Sequence, residues 1–289
     1  MSERVLIVGP GRMGLAMGAA LAESGGISGL TFFGRDIEPP PHPLFDEGGF
    51  VAEYRIGPQP VPEGTTVVLL AVPDDSIREV AHGLAKAGPA PAGCIALHLS
   101  GAVPSDVLAP LHAVGYEIGT MHPLQTVADP WSGGDRLRGS AFSLSGEPGA
   151  VAAGRRLVAL LGGRSLVVPP AFRPLYHAAA VFASNYLVSL VGAAVRLLGQ
   201  AGIDEDDALA AIIPLLRGTL NNLENLGASA ALTGPIARGD VDTVRLHLAR
   251  LSPEDRLLYC ALGREAVRIA RANGLDEVRA SEIESLLSL

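Results

Sequence analysis

The sequence predicts an α/β protein, a doubly wound and mainly parallel sheet followed by an all-α C-terminal domain. Three observations predict it. Residues 1–168 alternate short apolar runs with stretches of helical periodicity, as right-handed crossovers between parallel strands require. The remainder carries almost only helical periodicity. A glycine-rich turn, Gly9-Pro10-Gly11-Arg12-Met13-Gly14, closes the first apolar run and opens the first helical one. The 289 residues also exceed what a single core commonly serves, about 250. Two domains are therefore expected, 1–168 and 169–289.

Taken in order, strands are expected at 4–8, 30–33, 67–71, 94–99, 117–121, 141–144 and 165–168, where β-branched and apolar residues cluster. Helices fall between them at 12–24, 75–87, 104–113 and 150–161. Residues 36–64 break the alternation with seven prolines, including Pro39-Pro40-Pro41, where a crossover helix ordinarily lies. A strand at 51–56 inside a long loop is the expectation there. Beyond Pro169-Pro170, helices are expected at 174–201, 205–226, 241–251, 254–272 and 277–287. Asp204 is placed to cap a helix opened by Glu205, Asp206 and Asp207. Ser252-Pro253-Glu254-Asp255 supplies a cap, a first-turn proline and acids at the positive dipole end.

Composition excludes several classes of function. A net charge of −8 and a pI near 5.4 oppose general affinity for nucleic acid, and no basic run exists. The 22 basic residues are 21 arginines and Lys86, so a lysine-dependent mechanism would have to use a residue expected on the solvated tail of a helix. Cys94 and Cys260 form neither a metal-ligand spacing nor a disulfide framework, and no metal is expected. The N-terminal apolar run is too short for a signal peptide, and a cytoplasmic location follows as the expectation. Residues 174–195 hold no Lys, Arg, Asp or Glu. His177, Ser184, Asn185, Tyr186 and Ser189 interrupt that run, so a buried helix is expected rather than a membrane span.

The glycine turn is the strongest motif. Gly9 permits the tight turn, Gly11 lets backbone approach a pyrophosphate, and Gly14 allows close packing of helix on strand. Arg12 and Met13 start the helix whose unpaired N–H groups would meet the phosphates. The second strand ends Gly34-Arg35, where an NAD site would place an acid. Arg35 suits a 2′-phosphate, so NADP(H) is the expected cofactor of a Rossmann domain. A surface pairing of Arg35 with Asp36 or Glu38 is the alternative.

Gly9 to Gly14, Ala71-Val72-Pro73-Asp74, His98-Leu99-Ser100-Gly101-Ala102, His122-Pro123-Leu124-Gln125-Thr126, the stretch from His177 to Tyr186, and Thr233-Gly234-Pro235-Ile236 together resemble a family of Rossmann-plus-helical proteins. Its C-terminal half is called domain of unknown function 2520. The layout is also similar to pyrroline-5-carboxylate reductases and to other members of the 6-phosphogluconate dehydrogenase-like superfamily. This resemblance implies an NADP(H)-dependent oxidoreductase acting on a small, anionic C=O or C=N substrate in a cleft between domains, with the helical domain forming a homodimer.

The resemblance implies cofactor contacts from Val72, Pro73, Ser100 and Gly101 as well as the glycine turn, Gly34 and Arg35. His122, similar in setting to a histidine of prephenate dehydrogenases, becomes the candidate to polarise or protonate the substrate. Its ordinary pKa near neutrality suits that role, and holding its loop by hydrogen bonds is the other reading. His177 and Asn185 join it as catalytic candidates. Ser184, seven residues after His177 and so on the same face of an unbroken helix, is a substrate contact along with Thr233 and Gly234. Related hydroxyacid dehydrogenases carry a lysine where this chain has Val181. A non-catalytic NADP-sensing dimer, which the missing lysine favours, and the NADP–deazaflavin hydride exchange of related Rossmann proteins stand as alternatives.

Overall fold

The computed structural model describes residues 2–46 and 50–288. Two compact units divide the chain, Met1–Asn185 and Tyr186–Leu289.

The first unit is built on an eight-stranded sheet. Its strands are β1 (Glu3–Val8), β2 (Ile27–Gly34), β3 (Glu53–Ile56), β4 (Val67–Leu70), β5 (Ile95–His98), β6 (Glu117–Pro123), β7 (Ala141–Gly146) and β8 (Arg164–Val167). They lie in the order β3-β2-β1-β4-β5-β6-β7-β8. Every pairing is parallel except β6 with β7. The central strands read as unbroken apolar runs because helices cover both faces. Val5 and Ile7 of β1 join one core with Val67 and Leu69 of β4. Leu6 and Val8 join the opposite core with Val68 and Leu70, as a side-chain period of two demands. The first core is capped by α1 (Arg12–Glu23), α4 (Pro130–Leu137) and α5 (Pro148–Leu160). The second is capped by α2 (Ile77–Ala87) and the short α3 (Ala109–His112).

Two elements of the first unit differ from the sequence expectation, and the strand expected in the Pro-rich stretch is present. The helix expected at 104–113 is a 3-10 turn, Ser105–Leu108, followed by one α-turn. Helix α4 is not among the expected elements, since Gly133-Gly134 reads as a loop. Those glycines instead let α4 lie against α1, where a Cβ on Gly133 would meet the Ala16 Cβ at 2.7 Å. Asp129 caps it, accepting from the N–H groups of Trp131 and Ser132 at 3.1 Å each, and this Asp129-Pro130 pair was its legible signal. The Pro-rich stretch contains a 3-10 turn, Pro43–Phe45, and the edge strand β3 beside β2. Residues 47–49 of that stretch lie outside the described residues.

Helix α6 (Arg173–Ala183) belongs to the first unit, and α7 (Asn185–Gln200) opens the second. The single helix expected over 174–201 is thus two, parted at Ser184, whose φ of −121° and ψ of −72° leave the helical region. This corrects the expectation that His177 and Ser184 share a face of one unbroken helix. By length and composition the span Pro170–Gln200 is apolar enough to cross a membrane. The break at Ser184 and the deeply buried Arg173 at its start are features of a folded domain. The stretch is not buried within the chain, contrary to expectation.

In the second unit α8 (Glu205–Ala230) follows α7, and α9 (Val241–Arg250), α10 (Pro253–Ala272) and α11 (Glu277–Leu287) enclose a core of Val244, Leu248, Cys260, Val267, Ala280 and Ile283. Their caps are local. Asp240 accepts from the Thr243 N–H, Ser252 from that of Asp255 and Asp276 from that of Arg279, each at 3.1 Å. Asp204 occupies the cap position of α8, yet its side chain makes no capping bond.

Candidate active site

At the carboxyl end of β1 the chain turns through Gly9, whose φ of +101° is accessible to glycine and strained for other residues. A Cβ there would meet the Ala71 carbonyl oxygen at 2.6 Å and Val72 Cγ1 at 2.8 Å. One on Gly14 would lie 2.0 Å from the Gly9 carbonyl oxygen, so α1 packs directly on the turn. Gly11 differs: a Cβ there would meet nothing within 4 Å. Open space thus lies over the backbone that precedes the first N–H groups of α1. No side chain caps this helix and no acid sits in its first turn. Exposed Arg12 and half-buried Met13 begin it. These features suit an anion held by backbone N–H groups at a helix N-terminus.

One strand away, Gly34 ends β2 with Tyr54 of β3 laid across it. A Cβ on Gly34 would lie 2.1 Å from the Tyr54 hydroxyl, which donates to the Asp36 carbonyl at 2.9 Å. Sequence reasoning missed Tyr54, because it expected the strand but not its pairing beside β2, which lays the ring over Gly34. Arg35 is exposed, and among the described residues it has no ion pair with Asp36 or Glu38. Beyond β4, Val72 packs on Gly9, and Pro73 is exposed at the start of a 3-10 turn.

A second cluster forms at the carboxyl ends of β5 and β6. The two strands pair up to His98 opposite Thr120. β6 continues through His122 and Pro123, paired on its other side with β7. His122 therefore stands on a strand and not on the expected loop, projecting past the end of β5. The turn after β5 is tightly organised. The Ser100 hydroxyl accepts from the N–H groups of Ala102 and Val103, at 3.2 and 3.0 Å. Gly101 is buried, and a Cβ on it would come within 2.5 Å of His177 Nδ1 and 2.9 Å of His122 Nε2. Both rings thus pack with a nitrogen against Gly101, where a side chain would leave them no room, and they lie edge to face at 5.9 Å.

The structure adds two residues that sequence reasoning passed over. Arg173, 1% exposed, donates to Thr120 Oγ1 at 2.6 Å and to the carbonyls of Ser100 and Gly101 at 2.6 and 3.1 Å. It has no ion pair among the described residues, and its Nε makes no hydrogen bond. Tyr176 places its hydroxyl 2.9 Å from His122 Nδ1. The signal was present: Arg173, Tyr176 and His177 stand at i, i+3 and i+4, one face of a helix. What hid it was that Arg173 read as the boundary of an uncharged run.

Burial governs the electrostatics. It pushes His122 down to about 4, helped by His177 and Arg173. The ring is therefore neutral at pH 7, which corrects the near-neutral titration expected of it. His98 is likewise driven to about 4, by burial first and then by Arg173. It is a core residue, with Nδ1 accepting from the Ser100 N–H at 3.2 Å and Nε2 lying 3.3 Å from the Pro104 carbonyl. Burial raises the Tyr176 phenol, against the Ser143 hydroxyl and the Arg173 charge. Arg173 itself is lowered by burial, opposed by Tyr176 and Asp74.

The remaining candidates lie on other elements. Ser184 is half-buried at the break after α6, and Asn185 opens α7. Thr233 and Gly234 belong to the second unit, in the loop between α8 and α9, where Thr233 is exposed and Gly234 has a φ of +93°.

Comparison with known proteins finds two matching domain models. Residues 52–123 match the Rossmann-like domain and residues 140–266 match Domain of unknown function (DUF2520). A comparison with curated proteins returns no match. Among solved structures, a Thermotoga maritima protein superposes with a TM-score of 0.72 at 21% identity, over 93% of this chain and 99% of its own. Plasmodium falciparum pyrroline carboxylate reductase with NADP bound gives 0.59 at 10% identity, over 99% and 98%. The Aspergillus terreus reductive aminase in complex with NADPH and ethyl-5-oxohexanoate gives 0.57 at 18% identity, over 99% and 93%. At these identities the likeness establishes the fold.

Proposed function

We propose that this chain, which carries a Rossmann-like domain followed by the domain of unknown function 2520, is an NADP(H)-dependent oxidoreductase that reduces, or in reverse forms, a small C=O or C=N group. The observation that carries the reading is the pair of ring nitrogens, His122 Nε2 and His177 Nδ1, turned toward Gly101. They stand at the same carboxyl edge of the parallel strands as the Gly9 to Gly14 turn, where ligands bind in doubly wound sheets. Residues 1–168 serve as the cofactor-binding domain in this reading, and 169–289 as the substrate and dimerisation domain.

The residues fit the cofactor. The open space over Gly11 and the uncapped start of α1 accept a pyrophosphate, and exposed Arg35 offers a guanidinium to a 2′-phosphate. Bound NADPH supplies the hydride. The protein's own part begins with a neutral His122. With Nδ1 engaged by Tyr176, the ring presents an Nε2–H that polarises the carbonyl or imine and delivers a proton to it. In the oxidising direction the same nitrogen accepts one. The buried charge of Arg173, paired with no carboxylate among the described residues, favours an anionic substrate.

Helices α7 and α8 support a homodimer. In the single chain Val188 is 72% exposed, Leu215 70% and Leu226 58%, large apolar side chains that a second copy would cover.

The test is a screen of small carbonyl and imine acids followed by NADPH absorbance. With a substrate in hand, His122→Ala is expected to lower turnover about 10²–10⁴-fold while NADPH affinity, measured by fluorescence, stays nearly unchanged. Parallel loss of cofactor binding would reduce His122 to a structural support.

A further inference from the structure

The Tyr176 hydroxyl sits 2.9 Å from the one His122 nitrogen that does not face Gly101, and the rings of Tyr176 and His122 meet edge to face at 5.7 Å. A neutral imidazole carries one N–H and one bare nitrogen, and the partner of either nitrogen decides which is which. We propose that Tyr176 is the positioning residue for His122: its O–H donates to Nδ1, fixes the proton on Nε2, and replaces that proton as the substrate takes it. The inference rests on the reductase reading given above.

The step balances. The substrate oxygen or nitrogen gains the Nε2 proton as its carbon gains a hydride from the reduced nicotinamide. Nδ1 takes the proton of Tyr176, and the phenolate left behind is reprotonated from solvent after product leaves. Two features of the fold support this direction of transfer. Arg173 and Tyr176 lie three residues apart on α6, and while burial raises the phenol, the buried guanidinium opposes that rise in the sense that stabilises the anion. Arg173 forms no ion pair among the described residues that would cancel this charge. Second, His122 is unsuited to working as an imidazolium, because Arg173 and His177 from α6 both oppose a positive ring. A proton supply behind the neutral ring removes the need for one. The other polar or titratable groups facing the pair are His98 on β5 and Ser143, which is opposite His122 on β7; Asp74 acts on Arg173 from the β4 end.

Tyr176→Phe removes one hydroxyl and keeps the ring. In wild-type protein labelled with 15N at histidine, the His122 Nδ1 and Nε2 resonances are expected at the positions of a fixed Nε2–H tautomer. In the variant they move toward a mixture of tautomers. Turnover is expected to fall about 10–100-fold with KM changed less than about threefold, the split for an interaction made only in the transition state. Difluorotyrosine at position 176, which lowers the phenol pKa and barely alters its shape, is expected to shift the basic limb of the kcat profile downward in pH. Unchanged His122 resonances in Tyr176→Phe, or a stationary basic limb, overturn the proposal. A wild-type chain that turns over no carbonyl or imine overturns the reductase reading instead, and the resonances alone then decide whether Tyr176 sets the tautomer.

Discussion

The two compact units differ in how much of their own burial they complete. In the first, every central strand buries side chains on both faces, and the residues of β4, Val67 to Leu70, are all fully buried. In the second, α9, α10 and α11 enclose a core, whereas α7 buries no residue and α8 buries only Ala208 and Ile212. A sheet covered by crossover helices closes within one chain. A pair of apolar helices without a covering layer does not, and this difference is the ground for the second copy proposed above.

The largest effect expected from breaking this comparison is on assembly. Leu215→Glu places a carboxylate on the exposed apolar face of α8. Burying it in a dimer costs several kcal/mol, so the dimer is expected to weaken by about a thousandfold or more while the fold of the first unit persists. Light scattering against dilution measures it. A wild-type chain that is a stable monomer would contradict the homodimer.

The next effect belongs to the first unit alone. His98 and His122 titrate near 4 in the fold against an ordinary 6.5, so between these values the unfolded chain binds more protons than the native one. Their contribution is fully present above pH 6.5 and is lost as pH falls through that window. A tenfold difference in proton affinity corresponds to ~1.4 kcal/mol, so each histidine accounts for a loss on the order of 3 kcal/mol. Urea unfolding at pH 7 and pH 4.5 reads it, and His98→Asn, whose amide oxygen can replace Nδ1 as acceptor, is expected to flatten the dependence. A pH-independent midpoint would refute burial as the cause.

The smallest effect sharpens the cofactor half of the first unit. Arg35→Ala is expected to cost roughly 1.5–3 kcal/mol of NADPH binding, about ten- to hundredfold, and to leave NADH binding nearly unaltered. Equal wild-type affinities for the two cofactors would remove the role given to Arg35.

Much of this molecule was legible in its residues because the signals are local. The strand at Val67–Leu70 and the helix at Glu277–Leu287 follow from periodicity, the cap at Ser252 from side-chain chemistry, and the turn at Gly9 from a backbone that needs glycine. Helix α4 escaped because its glycines carry a low helix propensity, which packing against Ala16 overrides. The break at Ser184 escaped because no proline or glycine marks it.

By itself, then, the sequence determined the alternation of strands and helices, the glycine turn after β1 and the apolar face of the helical unit, all set by neighbours along the chain. Only the tertiary structure decided what surrounds His122. That ring meets Tyr176 and His177 from 54 and 55 positions away and feels an arginine that in the sequence only bounds an uncharged run. Its protonation is a matter of desolvation and nearby charge, quantities that exist only once β5, β6 and α6 have been brought together.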